Sequence, residues 1–143
     1  MFKIKIRKAK FEDIKRVVEI SKNLRQLENY PNQKLGRSEF EKFIDNRYAF
    51  MYIAETENKV VGYITAFRSD DYLFLPFAAV DKKYRRRGIA QRLLEKVESI
   101  AKKEKRKYIL FTAYESNKPI HQLAKKMGYK SSRRLFQYYK LLS

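Results

Sequence analysis

The sequence predicts one mixed α/β domain in which helices flank a central β-sheet. Three observations carry this prediction. Strand-like segments alternate along the chain with segments of helical spacing. The chain has only four glycines and three prolines in 143 residues, so these act as isolated breaks and form no linker. No repeat or low-complexity tract divides the chain, and its length fits a single domain over residues 1–143.

The first half predicts three strands and two helices. "FKIKIRKA" alternates with period two and predicts a strand, and apolar spacing from Phe11 to Glu28 predicts a helix. "YPNQKLGRS" predicts a loop, after which Ser38 is expected to cap a short helix through Asn46. "AFMYIAE" and "VVGYITAFRS" flank "TENK" and predict a hairpin.

The second half predicts a strand–helix–strand crossover followed by a further helix and strand. "YLFLPFAAV" predicts one buried strand, "KYILFTA" another, and "RRLFQYYKLL" the last. Asn117 is expected to cap a helix that Gly128 ends. The clearest helix runs from Gly88 to Lys103, with one apolar stripe made by Ile89, Ala90, Leu93, Leu94, Val97, Ile100 and Ala101.

Composition excludes several classes of protein. No segment approaches the roughly 20 apolar residues that cross a bilayer, and the N-terminus lacks the apolar centre of a signal peptide. The absence of cysteine excludes disulfides, thiolate metal sites and cysteine nucleophiles. We therefore expect a cytoplasmic protein without a membrane partner and without a bound metal.

The charge is large and uneven. The formal net charge is +18, and residues 82–143 hold 19 basic and 4 acidic side chains against 15 and 12 in residues 1–81. Such a bias indicates an anionic partner for the second half, either nucleic acid, an acidic surface or a phosphorylated cofactor. A solubilising surface without a partner explains the charge equally well.

Three consecutive arginines precede the glycine that opens the clearest helix, in "YRRRGIAQ". The start of a helix leaves backbone N–H groups unpaired and carries partial positive charge, so it binds phosphate readily. Gly88 and the small Ala90 let an anion approach the backbone, and arginines add charge-assisted hydrogen bonds. The pattern is neither a Walker P-loop nor GxGxxG, and the alternative is a plain basic helix start.

These residues resemble the central motif of the GNAT superfamily of N-acetyltransferases. The motif is a strand that ends in an apolar residue, followed by Arg/Gln-x-x-Gly-x-Gly/Ala at the start of a helix. Val80, Arg85, Gly88 and Ala90 match this motif. The resemblance continues into "NKPIHQLAKKMGYK", where the family has an asparagine, a short helix and a final Gly-Phe/Tyr, matched here by Asn117, Gly128 and Tyr129. The resemblance implies a mixed, mostly antiparallel sheet of about six to seven strands flanked by four helices, and an acetyl-CoA-dependent N-acetyltransferase.

The resemblance also assigns residues to the cofactor. The pyrophosphate of acetyl-CoA would lie on the turn formed by Arg85, Arg86, Arg87, Gly88, Ile89 and Ala90. The pantetheine arm would pair with Ala78, Ala79 and Val80, where an exposed N–H would also meet the thioester oxygen. Pro76 is consistent with a bulge in this strand, and Asn117 would contact the arm or simply cap its helix.

The catalytic acid and base are not assigned by the resemblance. Family members often carry them at the positions held here by Ala124, Phe74 and Thr112. His121 and Tyr139 are weak substitutes, because a lone histidine on a helix is more often structural and a tyrosine more often belongs to the core.

Three functions remain open at this point. The first is direct attack of an amine on acetyl-CoA in a ternary complex, with an acceptor site shaped by Leu27–Ser38 and Phe136–Lys140. The second is a catalytically silent regulator that binds acyl-CoA. The third is association with nucleic acid or the ribosome through residues 82–107, which hold 12 basic and 3 acidic side chains. The acceptor is a small molecule or a protein amine, and the chain is expected to be a monomer or homodimer.

Overall fold

The computed structural model describes residues 3–24 and 35–142. In this part of the chain, six strands form one sheet: Lys5–Lys8 (β1), Ala49–Thr56 (β2), Lys59–Arg68 (β3), Tyr72–Phe74 (β4), Ala78–Val80 (β5) and Tyr108–Leu110 (β6). Four α-helices accompany them: Ile14–Ile20 (α1), Arg37–Glu41 (α2), Ile89–Lys103 (α3) and Lys118–Lys126 (α4). Short 3₁₀ helices at Phe11–Asp13 and Lys82–Tyr84 precede α1 and follow β5.

The sheet is open and mostly antiparallel. Its strand order is β1-β2-β3-β4-β6, and β5 pairs with β3 beside β4. The β4–β6 pair is parallel, because the chain crosses through α3 between these two strands. This architecture confirms the predicted mixed α/β fold.

The core lies on both faces of the sheet because β3 is buried on both sides. Val61 and Tyr63 are each fully buried, and they belong to the two different clusters of apolar side chains. On one face the sheet packs against α3, through Leu93 and Val97. On the other face it packs against α1 and α2, with Phe40 edge-on to the Tyr63 ring at 5.4 Å.

The predicted helices differ from the observed ones mainly at their ends. The helix predicted from Phe11 to Glu28 is a 3₁₀ turn followed by α1, which ends at Ile20, and residues 25–28 lie outside the described part. The cap of α2 is Gly36, not Ser38, since the Gly36 N–H donates to Glu39 Oε2 at 3.1 Å. The helix then ends at Glu41, well before Asn46.

Two strand predictions are wrong. The segment predicted as one strand over residues 72–80 is divided at Pro76 into β4 and β5, which both pair with β3 but in registers that differ by one residue. Residues 133–142, predicted as the last strand, form no strand in the structure. A strand exists only through hydrogen bonds to a neighbour, and within the described residues no backbone hydrogen bond joins residues 130–142 to another segment.

Across residues 3–24 and 35–142, no helix combines the length and apolar character needed to span a bilayer. The cytoplasmic location stays a prediction.

Candidate cofactor and acceptor cleft

The site begins where the segment formed by β4 and β5 separates from β6. The Leu75 N–H donates to the Leu110 carbonyl at 3.0 Å, which is the last backbone link from this segment to β6. Pairing with β3 continues, since β4 and β5 both pair with β3 and the Thr65 N–H donates to the Phe77 carbonyl at 2.9 Å. Pro76 lies between these two links and offers no N–H to either neighbour. The strands therefore separate here and leave a gap between β5 and the chain that follows β6.

A buried threonine holds this divergence in place. The Thr65 hydroxyl accepts from the Phe77 N–H at 3.0 Å and lies 2.9 Å from the Phe77 carbonyl oxygen. Thr65 is fully buried, so no water replaces its hydroxyl. The side chain thereby satisfies a backbone N–H at the point where the strand leaves its regular ladder.

Beyond the divergence, β5 has an open edge. Its pairs with β3 are antiparallel, and on either side of it the Phe77 carbonyl accepts from the Thr65 N–H and the Asp81 N–H donates to the Val61 carbonyl. Because backbone groups alternate along a strand, Ala79 also faces β3, whereas Ala78 and Val80 direct their N–H groups away from it. Among the described residues no strand pairs with this side of β5. The edge can therefore accept an extended ligand as an additional strand.

Gly62 brings this edge close to the start of α3. A Cβ at Gly62 would lie 3.2 Å from the Ala79 carbonyl oxygen and 3.2 Å from Ile89 Cγ2. Both distances are shorter than most contacts of a methyl group, so a side chain here would require its neighbours to shift by a few tenths of an ångström. Glycine lets the strand and the helix start pack together without that shift.

The loop between β5 and α3 is anchored at its first residue. Asp81 Oδ1 accepts from the Lys83 N–H at 3.0 Å, and the Asp81 carboxylate pairs with the Arg16 guanidinium of α1. The Lys83 N–H, together with the Arg16 guanidinium, holds the pKa of the Asp81 carboxyl below its usual value. Arg16 also donates to the Val60 carbonyl at 2.9 Å, which ties α1 to both β3 and the loop.

The start of α3 presents unpaired backbone donors. Arg86 and Gly88 both adopt left-handed backbone conformations, with φ of +65° and +76°. A left-handed arginine costs about 1–2 kcal/mol, and such strain concentrates at functional sites. Within the described chain, the N–H groups of Gly88, Ile89, Ala90 and Gln91 donate to no acceptor, and the first helical bond comes from Arg92. The space around Gly88 is open, with no atom within 4 Å of the position that a Cβ would occupy.

The three arginines surround this helix start. Arg85, Arg86 and Arg87 are all exposed. Arg85 Nε donates to the Val80 carbonyl at 3.3 Å, and the Arg87 guanidinium lies 5.3 Å from the centre of the Tyr84 ring. The loop thus combines unpaired amides and a positive surface at one end of β5, which is the arrangement that a di-anionic phosphate group requires.

The remaining predicted cofactor residues have specific structural roles. Ile89 is buried in the core at 2% exposure, so only its backbone N–H can reach a ligand. Asn117 caps α4, because its Oδ1 accepts from the Ile120 N–H at 3.4 Å. The exposed Asn117 side chain lies beyond β6, so the cap and a contact with a bound arm are compatible.

The two predicted catalytic candidates lie in the C-terminal part of the chain. His121 Nε2 donates to the Tyr114 carbonyl at 2.8 Å, which closes the loop before α4 and leaves only Nδ1 as an acceptor. Tyr139 is about half exposed and lies outside every helix and strand. Within the described residues no hydrogen bond joins His121 to Tyr139, and a catalytic role for either stays a prediction.

A comparison with known protein families identifies the family of this chain. Residues 15–129 match the model of a family described as the acetyltransferase (GNAT) family. This match covers most of the chain and includes the open edge of β5 and the start of α3. The chain belongs to the GNAT acetyltransferase family. Members of the family use acetyl-CoA as co-substrate, so the predicted cofactor is confirmed at the level of the family.

Several solved structures share this fold over nearly the whole length of both chains. An aminoglycoside N-acetyltransferase, AAC(6')-Iy in complex with CoA, is 16% identical with a TM-score of 0.82, over 98% of this chain and 96% of that one. AAC(6')-Ih from Acinetobacter baumannii is 18% identical with a TM-score of 0.78, over 99% and 100%. A transcriptional regulator from Bacillus halodurans C-125 is 15% identical with a TM-score of 0.83, over 96% and 100%. At these identities the likeness concerns the GNAT fold alone.

The sequence motif missed two residues that shape the GNAT site. Gly62 lies inside a strand pattern, and an interior glycine is a known signal of close backbone approach. Thr65 gives no comparable signal, because a threonine in a strand is ordinary and its hydroxyl acts only after the chain diverges at Pro76.

Proposed function

We propose that this chain is an acetyl-CoA-dependent N-acetyltransferase in which an acceptor amine attacks the thioester directly. One observation carries the proposal: the open edge of β5 leads into the unpaired amides at the start of α3. A ligand with an extended, amide-containing arm and a pyrophosphate at its end fits this combination. Neither feature alone would select such a ligand.

The binding residues divide into two groups. The N–H groups from Gly88 to Gln91 position the pyrophosphate, and the guanidinium groups of Arg86 and Arg87 add charge. The outward backbone groups of Ala78 and Val80 pair with the pantetheine arm. Bound acetyl-CoA supplies the activated acetyl group.

The same strand edge supports catalysis. When an amine adds to a thioester, negative charge develops on the acyl oxygen, and a fixed N–H directed at that oxygen stabilises the charge. The outward N–H of Val80 or Ala78 takes this role in our proposal, because β3 holds both residues rigidly from the other side. Positioning together with this hydrogen bond accounts for a large share of the expected rate enhancement.

Proton transfer is assigned to solvent in this proposal. An alkyl amine has a pKa near 10 and must lose a proton before it attacks. The hydrogen bond from His121 Nε2 to the Tyr114 carbonyl supports a structural role for that ring. Water that enters the gap between β5 and the chain after β6 removes the amine proton. As the new C–N bond forms and the C–S bond breaks, CoA leaves as a thiolate that takes up a proton from the same solvent.

The acceptor in this proposal is an amine of low positive charge on a metabolite or a protein. The net charge of +18 slows the approach of polycationic amines, which makes aminoglycosides poor acceptors for this chain. An uncharged or acidic molecule with one reactive amine meets no such barrier.

The test is release of free thiol from acetyl-CoA with a panel of amines, using wild type and Gly88→Asp. We expect thiol release with singly charged amines, and its near-complete loss in Gly88→Asp because a carboxylate would occupy the phosphate position. Binding of acetyl-CoA without thiol release for any amine would contradict the enzyme and identify a silent acyl-CoA-binding regulator. Equal thermal stabilisation by acetyl-CoA and by dephosphorylated pantetheine would contradict the phosphate site.

A further inference from the structure

One flank of α3 carries a row of positive charges. The spacing of an α-helix places three cationic side chains along the flank that faces β1: Arg92, Lys96 and Lys103. Two contacts show the direction of this flank. Arg92 Nη1 donates to the Ile4 carbonyl, just before β1, at 2.6 Å. The Lys96 ammonium lies 5.2 Å from the centre of the Tyr52 ring on β2.

The two acidic side chains of α3 do not neutralise this flank. Glu98 lies on the other flank, where it accepts from the Tyr129 hydroxyl at 2.7 Å, and Glu95 is exposed on the outer ridge of the helix. Among the described residues, no carboxylate forms an ion pair with any of the three cations. Near α1, by contrast, Arg7 Nη1 lies 2.8 Å from Asp13 Oδ2. Positive charge without a paired acid is therefore concentrated beside α3.

The charged flank leads into a cleft at the C-terminal end of α3. The cleft has a volume of about 390 Å³, which lies within the usual range for ligand sites. Lys8 of β1 and Lys103 of α3 line it together with aromatic side chains of β2. Glu104 is the acid among its lining residues, and it is already paired with Arg68 at 2.8 Å. The two lysines are thus left to bind an anion.

We propose that this groove between α3 and β1 binds the phosphate backbone of a single-stranded nucleic acid. The α3–β1 groove consists of Arg92, Lys96 and Lys103 on α3 and of Lys8 and Tyr52 on the sheet. The cations on α3 extend over about 16 Å by the rise of the helix, which is long enough for several consecutive phosphates. A single small anion would contact only one part of this row. A chain of regularly spaced negative charges also complements the net charge of +18.

An exposed tyrosine at the end of the groove favours a single strand over a duplex. Tyr48 is 62% exposed, and its N–H donates at 2.8 Å to Oδ1 of Asn46, which lines the cleft. The Arg47 guanidinium lies 5.2 Å from the centre of the Tyr48 ring. An exposed ring beside a basic groove is a platform on which an unpaired base stacks, and a duplex offers no unpaired base.

The cleft is separate from the proposed acetyl-CoA site. Lys103 follows Gly88 by fifteen residues along α3, which is about 22 Å by the rise of the helix. Salt at physiological concentration screens charges over such a distance. A strand held in the groove therefore leaves the phosphate position at Gly88 open, and the proposal does not depend on the proposed enzymatic function.

The test is fluorescence anisotropy of labelled single strands of about 15 nucleotides, titrated with the full-length chain at several salt concentrations. The groove variant is Lys8→Gln/Lys96→Gln/Lys103→Gln. We expect it to bind RNA and DNA strands at least about 10-fold more weakly than wild type. The slope of log affinity against log salt should become shallower by about two, because three phosphate contacts are lost.

The matched control removes the same charge outside the groove, in Lys15→Gln/Lys22→Gln/Lys125→Gln. These exposed lysines lie on α1, directly after it and on α4, and we expect the control to stay within about threefold of wild type. Equal weakening by both variants would mean attraction by general charge and would overturn the groove. Unchanged melting temperatures and acetyl-CoA affinities in both variants would exclude a folding defect and support the proposal.

The remaining outcomes separate the possible partners. Tighter binding of either the RNA or the DNA strand supports the proposal and shows which nucleic acid the groove prefers. Tyr48→Ala should weaken binding of the single strand about fivefold or more. Tighter binding of the matching duplex would overturn the single-strand assignment. Equal competition by poly-L-glutamate, binding to anionic lipid vesicles alone, or no binding at physiological salt would each overturn the nucleic-acid proposal.

Discussion

The described chain up to Ala101 and the described chain after it use apolar residues in opposite ways. Up to Ala101 the sequence supplies two cores, one on each face of the sheet, with Val61, Tyr63, Leu93 and Val97 buried almost completely. After Ala101 no residue through Leu142 is buried, although the segment over residues 133–142 has a strand-like apolar pattern. Apolar pattern alone therefore does not determine burial within one chain.

The difference separates two tasks. The first part holds both cores and fixes the backbone groups of β5 and the start of α3 to which a ligand would bind. The second part adds β6, which pairs with β4, and partly buried side chains that pack on the α3 face of the sheet, and it leaves the segment over residues 133–142 exposed. Variants placed at matched positions in the two parts test this division directly.

The largest effect is expected from shortening a leucine in each part. Leu93→Ala removes a side chain that is 1% exposed, and we expect a loss of about 2–5 kcal/mol in the free energy of unfolding. Leu135→Ala removes one that is 70% exposed, and the change should stay within about 0.5 kcal/mol. Urea denaturation measures both. A loss for Leu135→Ala as large as that for Leu93→Ala would contradict the comparison.

A smaller effect on stability is expected from Thr65, at the point where β5 separates from β6. Thr65→Val keeps the shape of the side chain but leaves the Phe77 N–H without its acceptor, which should cost about 1–3 kcal/mol. Thr65→Ser retains the hydroxyl and serves as the control. Thermal unfolding should show a lower melting temperature for Thr65→Val than for Thr65→Ser, and titration should show a lower affinity for acetyl-CoA. Equal behaviour of the two variants would mean that the hydroxyl does not hold the divergence.

Two glycines provide a matched pair across the boundary. Gly88 and Gly128 both have positive φ and open space around the position of a Cβ, so alanine should cost each about 1 kcal/mol in stability. Only Gly88→Ala should also weaken acetyl-CoA binding, because its backbone faces the proposed phosphate. Calorimetric titration of both variants checks this, and equal loss of affinity would argue against a localised site.

The smallest effect concerns the anchor of the loop before α3. The pKa of Asp81 is lowered in the folded state, so its stabilising contribution is present above the unfolded pKa near 3.9 and is lost as pH falls through the folded value. Asp81→Asn should cost less than about 1 kcal/mol at pH 7 and should remove this acid dependence. Unfolding curves between pH 3 and 7 measure it. An unchanged acid dependence in the variant would assign the effect to other carboxylates.

The parts of the fold that depend on local pattern could be predicted from the sequence. The β2–β3 hairpin and α3 follow from alternation and helical spacing, and their observed ends lie within about two residues of the predicted ones. The division of residues 72–80 could not be predicted, because their single apolar run conceals the loss of β6 as a partner and a one-residue shift in the pairing with β3 at Pro76. Whether residues 133–142 form a strand depends on hydrogen bonds to a neighbouring strand, and the sequence of the segment alone does not show whether such a neighbour is present.

The candidate site was predictable where its chemistry is local. Gly88 and the arginines before it are adjacent in sequence, and their motif led to the helix start. Thr65 and Gly62 act on residues 12 to 27 positions away in the chain, so only the folded structure reveals their contacts. The assignment of Arg85, Arg86 and Arg87 to a bound cofactor stays a prediction.

The central claim is that the start of α3 is a specific phosphate site and not a generally basic surface. The most direct measurement is the acetyl-CoA dissociation constant of Arg86→Ala/Arg87→Ala compared with a variant in which Lys102, Lys103 and Lys105 are alanine. These lysines lie about 20 Å along the helix from Gly88, beyond effective reach at physiological salt. We expect the arginine pair to weaken binding roughly 10-fold or more, since charge-assisted hydrogen bonds are lost, and the lysine variant to leave it almost unchanged. Equal weakening by both variants would contradict the phosphate site.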